Sequence, residues 1–371
     1  MTNRKGVNAA DLLGRKLNPV YTDAAREYFV DKTVLVTGAG GSIGSEIVNQ
    51  LTELGAKNVV CVDGDEYALY NLDLKIRGTA LLTDETLILA DIRDYDIINR
   101  IMNEWKPDVV FHAAAVKHLP LLERSPEVAF MTNVLGTKNV IEAASNNGVS
   151  KFVNISTDKA ANPTSVLGYT KRIAEMIANH HSSHHMLVAS VRFGNVFASR
   201  GSFIETLEWQ VQNGKDVLIT DADASRYFMS IPQAAGLVIE TSIIAQSGNT
   251  YVLDMGVPVK ITEIFKRYVK LVDAEQTKVT FTGLRTGEKL HEVLYDHRED
   301  QAKTRHEQIF TVRVSGGNNK LMSDVEELQS MMVSEHVNSS TTIEFLKRMA
   351  YEQGDDMNTE VLTKTTTEVT A

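Results

Sequence analysis

Hydroxyl, carboxylate and amine side chains cluster directly after the apolar run Phe152 to Ile155. Thr157, Asp158 and Lys159 follow this run, and Lys171 lies in a helical pattern that begins after a Pro-Thr-Ser break. Ligands of open α/β sheets bind at the carboxyl ends of strands, so we expect these side chains to lie in a binding site. Taken alone, Asp158-Lys159 is better interpreted as a strand-end ion pair than as an acid and a base.

A glycine-rich segment lies between a buried strand pattern and a predicted helix. Gly38, Gly41 and Gly44 form G-x-x-G-x-x-G, which lets the backbone approach a pyrophosphate at a helix N-terminus. Asp63 ends the next predicted strand, where its carboxylate would bind a ribose diol and repel a 2′-phosphate. The pattern therefore predicts NAD rather than NADP. A tight turn without a ligand is the alternative.

Two further strand ends are candidates for contacts with the same cofactor. Asp91-Ile92 can hold an adenine, with a solvated loop acid as the alternative. Small residues follow His112, which itself can equally be a core residue. The predicted cofactor-binding residues are Gly38, Gly41, Ser42, Ile43, Gly44, Asp63, Asp91, Ile92, Ala113, Ala114 and Lys171.

The composition is that of an ordinary soluble globular protein, with 371 residues, 43% hydrophobic and 23% charged. A net charge of −10 argues against a nucleic-acid or anionic-membrane surface. Cys61 is the only cysteine, so no intrachain disulfide is possible and a reducing compartment fits. No apolar run approaches the ~20 residues that span a bilayer, and the N-terminus lacks a signal-peptide core. We therefore expect a cytoplasmic protein without a membrane span.

Strand and helix patterns alternate up to about residue 193, which predicts an α/β fold with a doubly wound parallel Rossmann sheet. The rhythm then breaks into loops, which indicates a smaller substrate-binding lobe that is discontinuous in sequence. The predicted divisions are an N-terminal arm (1–30), an NAD-binding domain (31–193 plus about 232–256), a substrate lobe (194–231 plus about 257–315), a helical segment (316–354) and a disordered tail (355–371).

With the glycine loop, Asp91-Ile92 and Lys171 in place, the chain resembles the extended short-chain dehydrogenase/reductase family. Members of that family carry Ser or Thr, Tyr and Lys, the last two as Y-x-x-x-K. Thr157 and Lys171 match, but Leu167 stands at the tyrosine position. Tyr169 is two positions from Lys171, about 200° around a helix, so we expect it to point elsewhere.

Ser156-Thr157-Asp158-Lys159 is similar to the motif of UDP-N-acetylglucosamine 4,6-dehydratases of the polysaccharide-biosynthesis group. The similarity runs from about Leu12 to Ile309. Long members of that group are membrane-anchored and also have an apolar residue in place of the tyrosine, and this chain resembles their catalytic part. Other similar stretches begin at Ala115, Arg192, Ser199, Arg226, Leu253 and Gly283.

The resemblance implies that NAD removes hydride from sugar C4, that water is eliminated across C5 and C6, and that the hydride returns to C6. Lys159 would be the C5 base, with a pKa lowered by burial or nearby cations. Asp158 would be the acid for the C6 hydroxyl, with a raised pKa. Lys171 would bind the nicotinamide ribose. The group that deprotonates the 4-hydroxyl stays open between Thr157, Asp158 and a water.

The resemblance also suggests how a UDP-sugar is bound. Arg226 and Arg285 suit a diphosphate because a guanidinium matches two phosphate oxygens, although lone arginines are usually only solvated. The remaining candidates are Asn195 and Ser202 for phosphate or uracil, Glu288 for a ribose diol, and Lys117 and His118 for the sugar or as loop caps. No metal site is predicted. Because the fold commonly pairs through helices flanking the active site, we expect a homo-oligomer, a dimer or higher.

Two other functions compete with the dehydratase. A 4-epimerase usually relies on the tyrosine and has no need of an Asp-Lys pair, so Leu167 and Lys159 argue against it. A non-catalytic NAD-dependent sensor or scaffold is the third possibility, against which intact Asp158, Lys159 and Lys171 weigh. By analogy with the long members, the lost tyrosine favours retention of configuration at C5.

Overall fold

The computed structural model describes Leu12 and residues 22–182, 185–297, 299–314, 319–334 and 337–351. The predicted disordered tail, 355–371, lies outside the described residues, as does most of the N-terminal arm.

The helices and strands follow the predicted alternation. The strands are β1 Thr33–Thr37, β2 Asn58–Asp63, β3 Leu87–Leu89, β4 Val109–His112, β5 Lys151–Ile155, β6 Leu187–Arg192, β7 Asn195–Val196, β8 Val217–Ile219, β9 Ser225–Arg226, β10 Phe228–Met229, β11 Asn249–Leu253, β12 Val259–Lys260, β13 Val279–Phe281, β14 Gln301–Lys303 and β15 Ile309–Val312.

The α-helices are α1 Asp23–Phe29, α2 Ser42–Glu53, α3 Glu66–Arg77, α4 Tyr95–Trp105, α5 Leu119–Leu122, α6 Pro126–Ala129, α7 Gly136–Asn146, α8 Val166–His180, α9 Phe203–Gln212, α10 Ile231–Ile244, α11 Ile261–Leu271, α12 Asn319–Val333 and α13 Ser339–Tyr351. A π-helix spans Phe130–Leu135, and a 3₁₀ turn spans Asp158–Ala160.

A nine-stranded sheet in the order β14-β15-β11-β6-β5-β4-β1-β2-β3 forms the centre of the molecule. Its strands are parallel from β3 to β11, which confirms the predicted α/β class with a parallel sheet. All five residues of β1 are buried, as expected for a strand covered by helices on both faces. The strand order reverses between β1 and β4, and ligands of such sheets bind at this switch point.

The far edge of the sheet corrects one detail of the sequence prediction. Strand β15 pairs antiparallel to β11, and β14 pairs antiparallel to β15. Residues 301–312 therefore belong to the central sheet, although the sequence placed them in the smaller lobe. Runs as short as Gln301–Lys303 and Ile309–Val312 give no sign of the strand with which they pair in the fold.

A separate apolar cluster lies among the short strands and helices after residue 193. Leu12 is completely buried in this cluster beside Phe197, Ile204 and Ile264. The guanidinium of Arg267 donates a hydrogen bond to the Leu12 carbonyl oxygen at 2.9 Å. At Leu12, the N-terminal arm thus packs on the body of the protein. The division into two lobes otherwise stays a prediction.

The C-terminal segment is helical, and α13 packs against α8 and α6. The Tyr351 hydroxyl donates a hydrogen bond to the Pro163 carbonyl oxygen. The chain's own helix thus covers part of the helical surface next to the catalytic segment, where the resemblance placed an oligomer contact. The homo-oligomer stays a prediction. Within the described residues, no helix combines the length and the apolar character needed to cross a membrane.

Candidate active site

A cavity of about 860 Å³ opens at the carboxyl ends of the central strands. This volume is within the range of small-molecule sites. Sixteen of the predicted site residues line it: Gly38, Gly41, Ser42, Ile43, Gly44, Ala113, Lys117, His118, Thr157, Lys159, Lys171, Asn195, Ser202, Arg226, Arg285 and Glu288. Asp63, Asp91, Ile92, Ala114 and Asp158 are not among the lining residues.

The glycine loop has the geometry that a dinucleotide phosphate requires. Gly38 has a φ of +66°, and a Cβ there would lie 2.6 Å from the Ala114 backbone nitrogen. A Cβ at Gly44 would lie 2.1 Å from the Gly38 carbonyl oxygen. No side chain caps the start of α2, so its first N–H groups can bind an anion. The residues present therefore fit the pyrophosphate of NAD.

Asp63 lies at the end of β2 and holds the glycine loop. Its carboxylate accepts hydrogen bonds from the backbone N–H groups of Gly40, at 2.8 Å, and Asp65, at 3.0 Å. Such a carboxylate next to the loop is the arrangement expected for a ribose diol. The predicted ribose contact itself is not tested by these bonds.

Asp91 and Ile92 have other partners in this structure. Arg93 forms several hydrogen bonds with the exposed Asp91 carboxylate, which lower its pKa. Ile92 is buried, and a Cβ on Gly136 would lie 2.5 Å from its Cδ1 atom. Asp91 thus has the surroundings of a solvated loop acid, the alternative given above. Its contact with adenine remains a prediction.

His112, at the end of β4, and Lys171, on α8, are both buried. The His112 ring lies 2.8 Å from the Thr37 hydroxyl and 3.0 Å from the Thr137 hydroxyl, as in a satisfied core histidine. Burial, with a contribution from Lys171, lowers the pKa of His112 to about 3. Burial also lowers the pKa of Lys171 to about 8, against the opposing charge of Glu175.

The acid and base candidates are in direct contact. The Thr157 hydroxyl donates to Asp158 Oδ1 at 2.9 Å, and Lys159 Nζ donates to the same oxygen at 3.0 Å. Asp158 is completely buried, and its Oδ2 has no hydrogen-bond partner among the described residues. One carboxylate oxygen therefore accepts both hydrogen bonds, while the other is free to accept one from a further group.

The pKa of Lys159 shifts in the direction opposite to the expected one. Burial lowers it, but the negative charges of Asp158 and Glu292 outweigh burial, and the net pKa is raised. Lys159 Nζ lies 3.6 Å from Glu292 Oε1. Lys159 is therefore protonated in the free protein, and the expected lowering of its pKa was wrong.

Glu292 is a site residue that the sequence analysis missed. Its side chain is buried, lines the cavity, and has an Oε2 atom with no hydrogen-bond partner among the described residues. A single acid in an irregular segment carries no local signal. Only its position a few residues beyond the similar stretch that begins at Gly283 could have drawn attention to it.

No tyrosine is among the described residues that line the cavity. Leu167 lines it at the first turn of α8, where the family's tyrosine would lie. Tyr169 packs edge-on against Tyr351 at 6.2 Å between ring centres, and burial raises its pKa to about 12. The prediction that Tyr169 points elsewhere is confirmed.

The arginines predicted to bind diphosphate differ in their surroundings. Arg226 is buried, forms a 2.8 Å ion pair with Glu288, and donates to the carbonyl oxygens of Ser225 and Leu290. Arg285 lines the cavity and offers its backbone N–H to Glu288. A diphosphate at Arg226 would therefore have to share it with Glu288.

Other predicted substrate contacts have structural roles as well. The Ser202 hydroxyl caps α9 by accepting from the Glu205 N–H group. Asn195 Oδ1 lies 3.5 Å from Lys159 Nζ, close to the acid-base cluster. Burial, with Arg200 and Lys159 nearby, lowers the pKa of Lys117 against the charge of Glu205.

A buried ionic network lies behind the catalytic segment. Ser156 Oγ donates to Glu175 at 2.6 Å, and Glu175 also binds the completely buried guanidinium of Arg192. Arg192 in turn pairs with Glu299, which also binds Arg172. These bonds tie the end of β5 to α8 and thereby fix Thr157 relative to Lys171.

Comparison with known proteins agrees with this description. The chain is 44% identical over 323 residues to the capsular polysaccharide biosynthesis protein CapD of Staphylococcus aureus, covering 85% of this chain and 53% of CapD. The chain thus spans about half the length of this relative. It is 32% identical to a UDP-glucose 4-epimerase of Rickettsia rickettsii, over 73% of this chain and 80% of that protein.

Two solved structures share the fold. The structure of Pen from Bacillus thuringiensis matches with a TM-score of 0.71 and 30% identity, over 84% of this chain and all of that one. The dTDP-glucose 4,6-dehydratase DesIV from Streptomyces venezuelae, solved with NAD bound, matches with a TM-score of 0.63 and 22% identity, over 71% of this chain and 88% of that one.

The fold is thus the Rossmann-type fold that the chain shares with solved nucleotide-sugar dehydratases and epimerases. Residues 34–314 match the family described as "Polysaccharide biosynthesis protein". The chain belongs to this family.

Proposed function

We propose that the protein is an NAD-dependent lyase that converts UDP-N-acetylglucosamine to a UDP-4-keto-6-deoxy-N-acetylhexosamine. The observation that carries this proposal is the buried Asp158, whose Oδ1 atom accepts hydrogen bonds from both Thr157 and Lys159. Elimination of water needs an acid and a base close together, whereas simple redox chemistry at C4 does not. Thr157 and Lys159, which both donate to Asp158, line the cavity that the glycine loop also lines.

The cofactor, when bound, would supply a hydride acceptor for C4 and a hydride donor for C6. Gly38, Gly41 and Gly44 would hold its phosphates, Asp63 its adenosine ribose and Lys171 its nicotinamide ribose. With a pKa near 8, Lys171 can also donate a hydrogen bond at neutral pH, because it is largely protonated there.

Thr157 is our choice for the role that the missing tyrosine leaves open. Its hydroxyl already donates to Asp158 at 2.9 Å, so it can accept the 4-hydroxyl proton as it passes its own to Asp158. The carboxylate becomes a carboxylic acid in this step. Asp158 then holds the proton that the departing C6 hydroxyl requires. This proton passes to the hydroxyl, which leaves as water, and Asp158 becomes a carboxylate again.

Lys159 must lose a proton before it can act as the C5 base. Once Asp158 is protonated, the nearest remaining acceptor is Glu292, 3.6 Å away. Transfer to Glu292 gives a neutral amine, which removes the C5 proton, exchanges its ammonium protons with solvent and later returns one of them to C5. Because one amine acts on one face of the sugar, the configuration at C5 is retained. Glu292 finally returns the borrowed proton to Lys159, and the site is restored.

A 4-epimerase is the second candidate, because a relative with 32% identity carries that name. Epimerisation removes and returns hydride at C4 and leaves C5 and C6 untouched. It therefore gives Lys159 and Glu292 no C5 proton to move, and Leu167 removes the usual phenol. These residues favour the dehydratase.

One experiment separates the candidates. The purified protein is incubated with UDP-N-acetylglucosamine in heavy water, and the product is followed by mass spectrometry and proton NMR. The dehydratase loses one water and carries deuterium at C5, while an isobaric product indicates an epimerase. NAD binding without conversion of UDP-, GDP- or dTDP-hexoses would contradict the enzymatic proposal and favour a sensor or scaffold.

A further inference from the structure

The segment Ser199–Ser202 reaches from the region after β7 to the glycine loop. The Arg200 backbone N–H donates to Ser42 Oγ at 2.9 Å, and its guanidinium donates to the Gly40 carbonyl oxygen at 3.1 Å. The guanidinium also pairs with Asp65 at 3.4 Å. Arg200 thus touches the loop at two points and Asp65 at a third, although it was not among the predicted site residues.

The same segment is anchored on its other side. Gly201 has a φ of +67°, and a Cβ there would lie 2.4 Å from the His118 ring. The Gly201 backbone N–H donates to the Glu205 carboxylate, and Ser202 caps α9. A left-handed glycine in close contact with a ring fixes the direction of the segment. Arg200 is thereby directed across the cavity toward the glycine loop.

These bonds contribute little to the stability of the fold. The side chains of Arg200 and Asp65 are 55% and 51% exposed, and solvent screens an ion pair at that exposure. The segment does form a wall of the cavity, since Ser199, Arg200, Gly201 and Ser202 line it together with Ser42. A cationic residue is therefore placed beside the uncapped N–H groups at the start of α2.

We propose that Arg200 is a cofactor-retaining residue, which latches the segment Ser199–Ser202 over a dinucleotide bound at the glycine loop. The proposal rests on the proposed NAD-dependent function. A reaction that returns its hydride to the product regenerates the cofactor in every turnover, so a slow cofactor release costs no rate. Opening of the latch, rather than the intrinsic affinity of the glycine loop, sets the rate of release.

The test measures the dissociation of NADH from the full-length protein by fluorescence, after a chase with excess NAD. Arg200→Ala is expected to raise the dissociation rate constant by about tenfold, the loss of one charged hydrogen-bonding group. Asp65→Asn removes the charge that pairs with Arg200 but keeps the cap of α3 and the Arg200 guanidinium. It is expected to raise the dissociation rate constant by a smaller factor. Lys266→Ala removes an exposed cation that pairs with Glu263 on α11, and should change nothing.

The melting temperature of the cofactor-free variants separates a latch from a structural role. A latch predicts unchanged melting temperatures with faster release. The latch is overturned if Arg200→Ala releases NADH within about twofold of the wild-type rate. It is also overturned if Lys266→Ala speeds release as much as Arg200→Ala does. Either result leaves NAD binding itself intact. A fall in melting temperature that accounts for the faster release also overturns the latch. A wild-type protein that binds no NADH overturns both the latch and the proposed function.

Discussion

The glycine loop and the acid-base cluster occupy the same cavity but are built in different ways. The loop is one continuous segment. Its backbone packs so closely that a Cβ at Gly38 or Gly44 would clash with neighbouring backbone atoms. The cluster combines Thr157, Asp158 and Lys159 with Glu292, which comes from a distant part of the chain. The shape of the phosphate-binding loop is thus largely a local property, whereas the protonation state of the cluster is a tertiary one.

The largest effect should come from Asp158→Asn. The amide cannot take the Thr157 proton or give one to the C6 hydroxyl, so we expect turnover to fall by about 10³-fold or more. NAD binding should be unchanged, because the glycine loop does not depend on this side chain. Turnover is measured as product formation by mass spectrometry, and cofactor binding is measured by NADH fluorescence. A parallel loss of both would contradict the separation between loop and cluster.

The converse change is Gly44→Val. A Cβ at this position would lie 2.1 Å from the Gly38 carbonyl oxygen, so the loop must move, and we expect NADH affinity to fall by about 100-fold. Gly148→Ala is the control, since it has a φ of +76° but nothing within 4 Å. Gly44 does not have a left-handed φ, so its variant tests the contact with Gly38, and Gly148→Ala should leave affinity unchanged. Equal losses in both variants would show that the contact at the loop is not the cause.

Lys171 should make stability depend on pH. Its pKa is about 8 in the folded protein and near 10.5 when unfolded. Between these values the unfolded chain binds one more proton, so the free energy of unfolding rises with pH, by up to about 3 kcal/mol. Lys171→Met should lack this rise when cofactor-free proteins are compared by denaturant titration. If the free energy of unfolding of wild type and of Lys171→Met depended on pH in the same way, the claim that burial destabilises the Lys171 ammonium would be contradicted.

The smallest effect is expected from Glu292→Gln. This change removes the proton acceptor for Lys159 but leaves Asp158 and Thr157 in place, so we expect turnover to fall by about tenfold. The melting temperature and NADH affinity serve as controls for folding and for the loop. Glu307→Gln, in a segment that the cavity does not include, is a matched substitution that should be neutral. Unchanged turnover in Glu292→Gln would remove Glu292 from the proton path.

Much of the fold was predictable, because buried runs such as β1 alternate with helices of the expected length. The glycine loop, Asp63 and the position of Tyr169 also follow from spacing within one segment. The raised pKa of Lys159 did not, because it depends on the contact with Asp158 that the folded turn creates and on Glu292, which lies far away in the chain. The contacts of Arg200 and the pairing of β14 and β15 likewise depend on chain segments that meet only after folding.

The central claim is that Lys159 is the base that removes the C5 proton. The direct measurement mixes NAD-loaded Lys159→Ala with UDP-N-acetylglucosamine and follows nicotinamide absorbance together with product mass. C4 oxidation does not need this amine, whereas elimination does, so we predict that reduced cofactor accumulates without loss of water. Water loss with deuterium at C5, at the wild-type rate, would contradict the account.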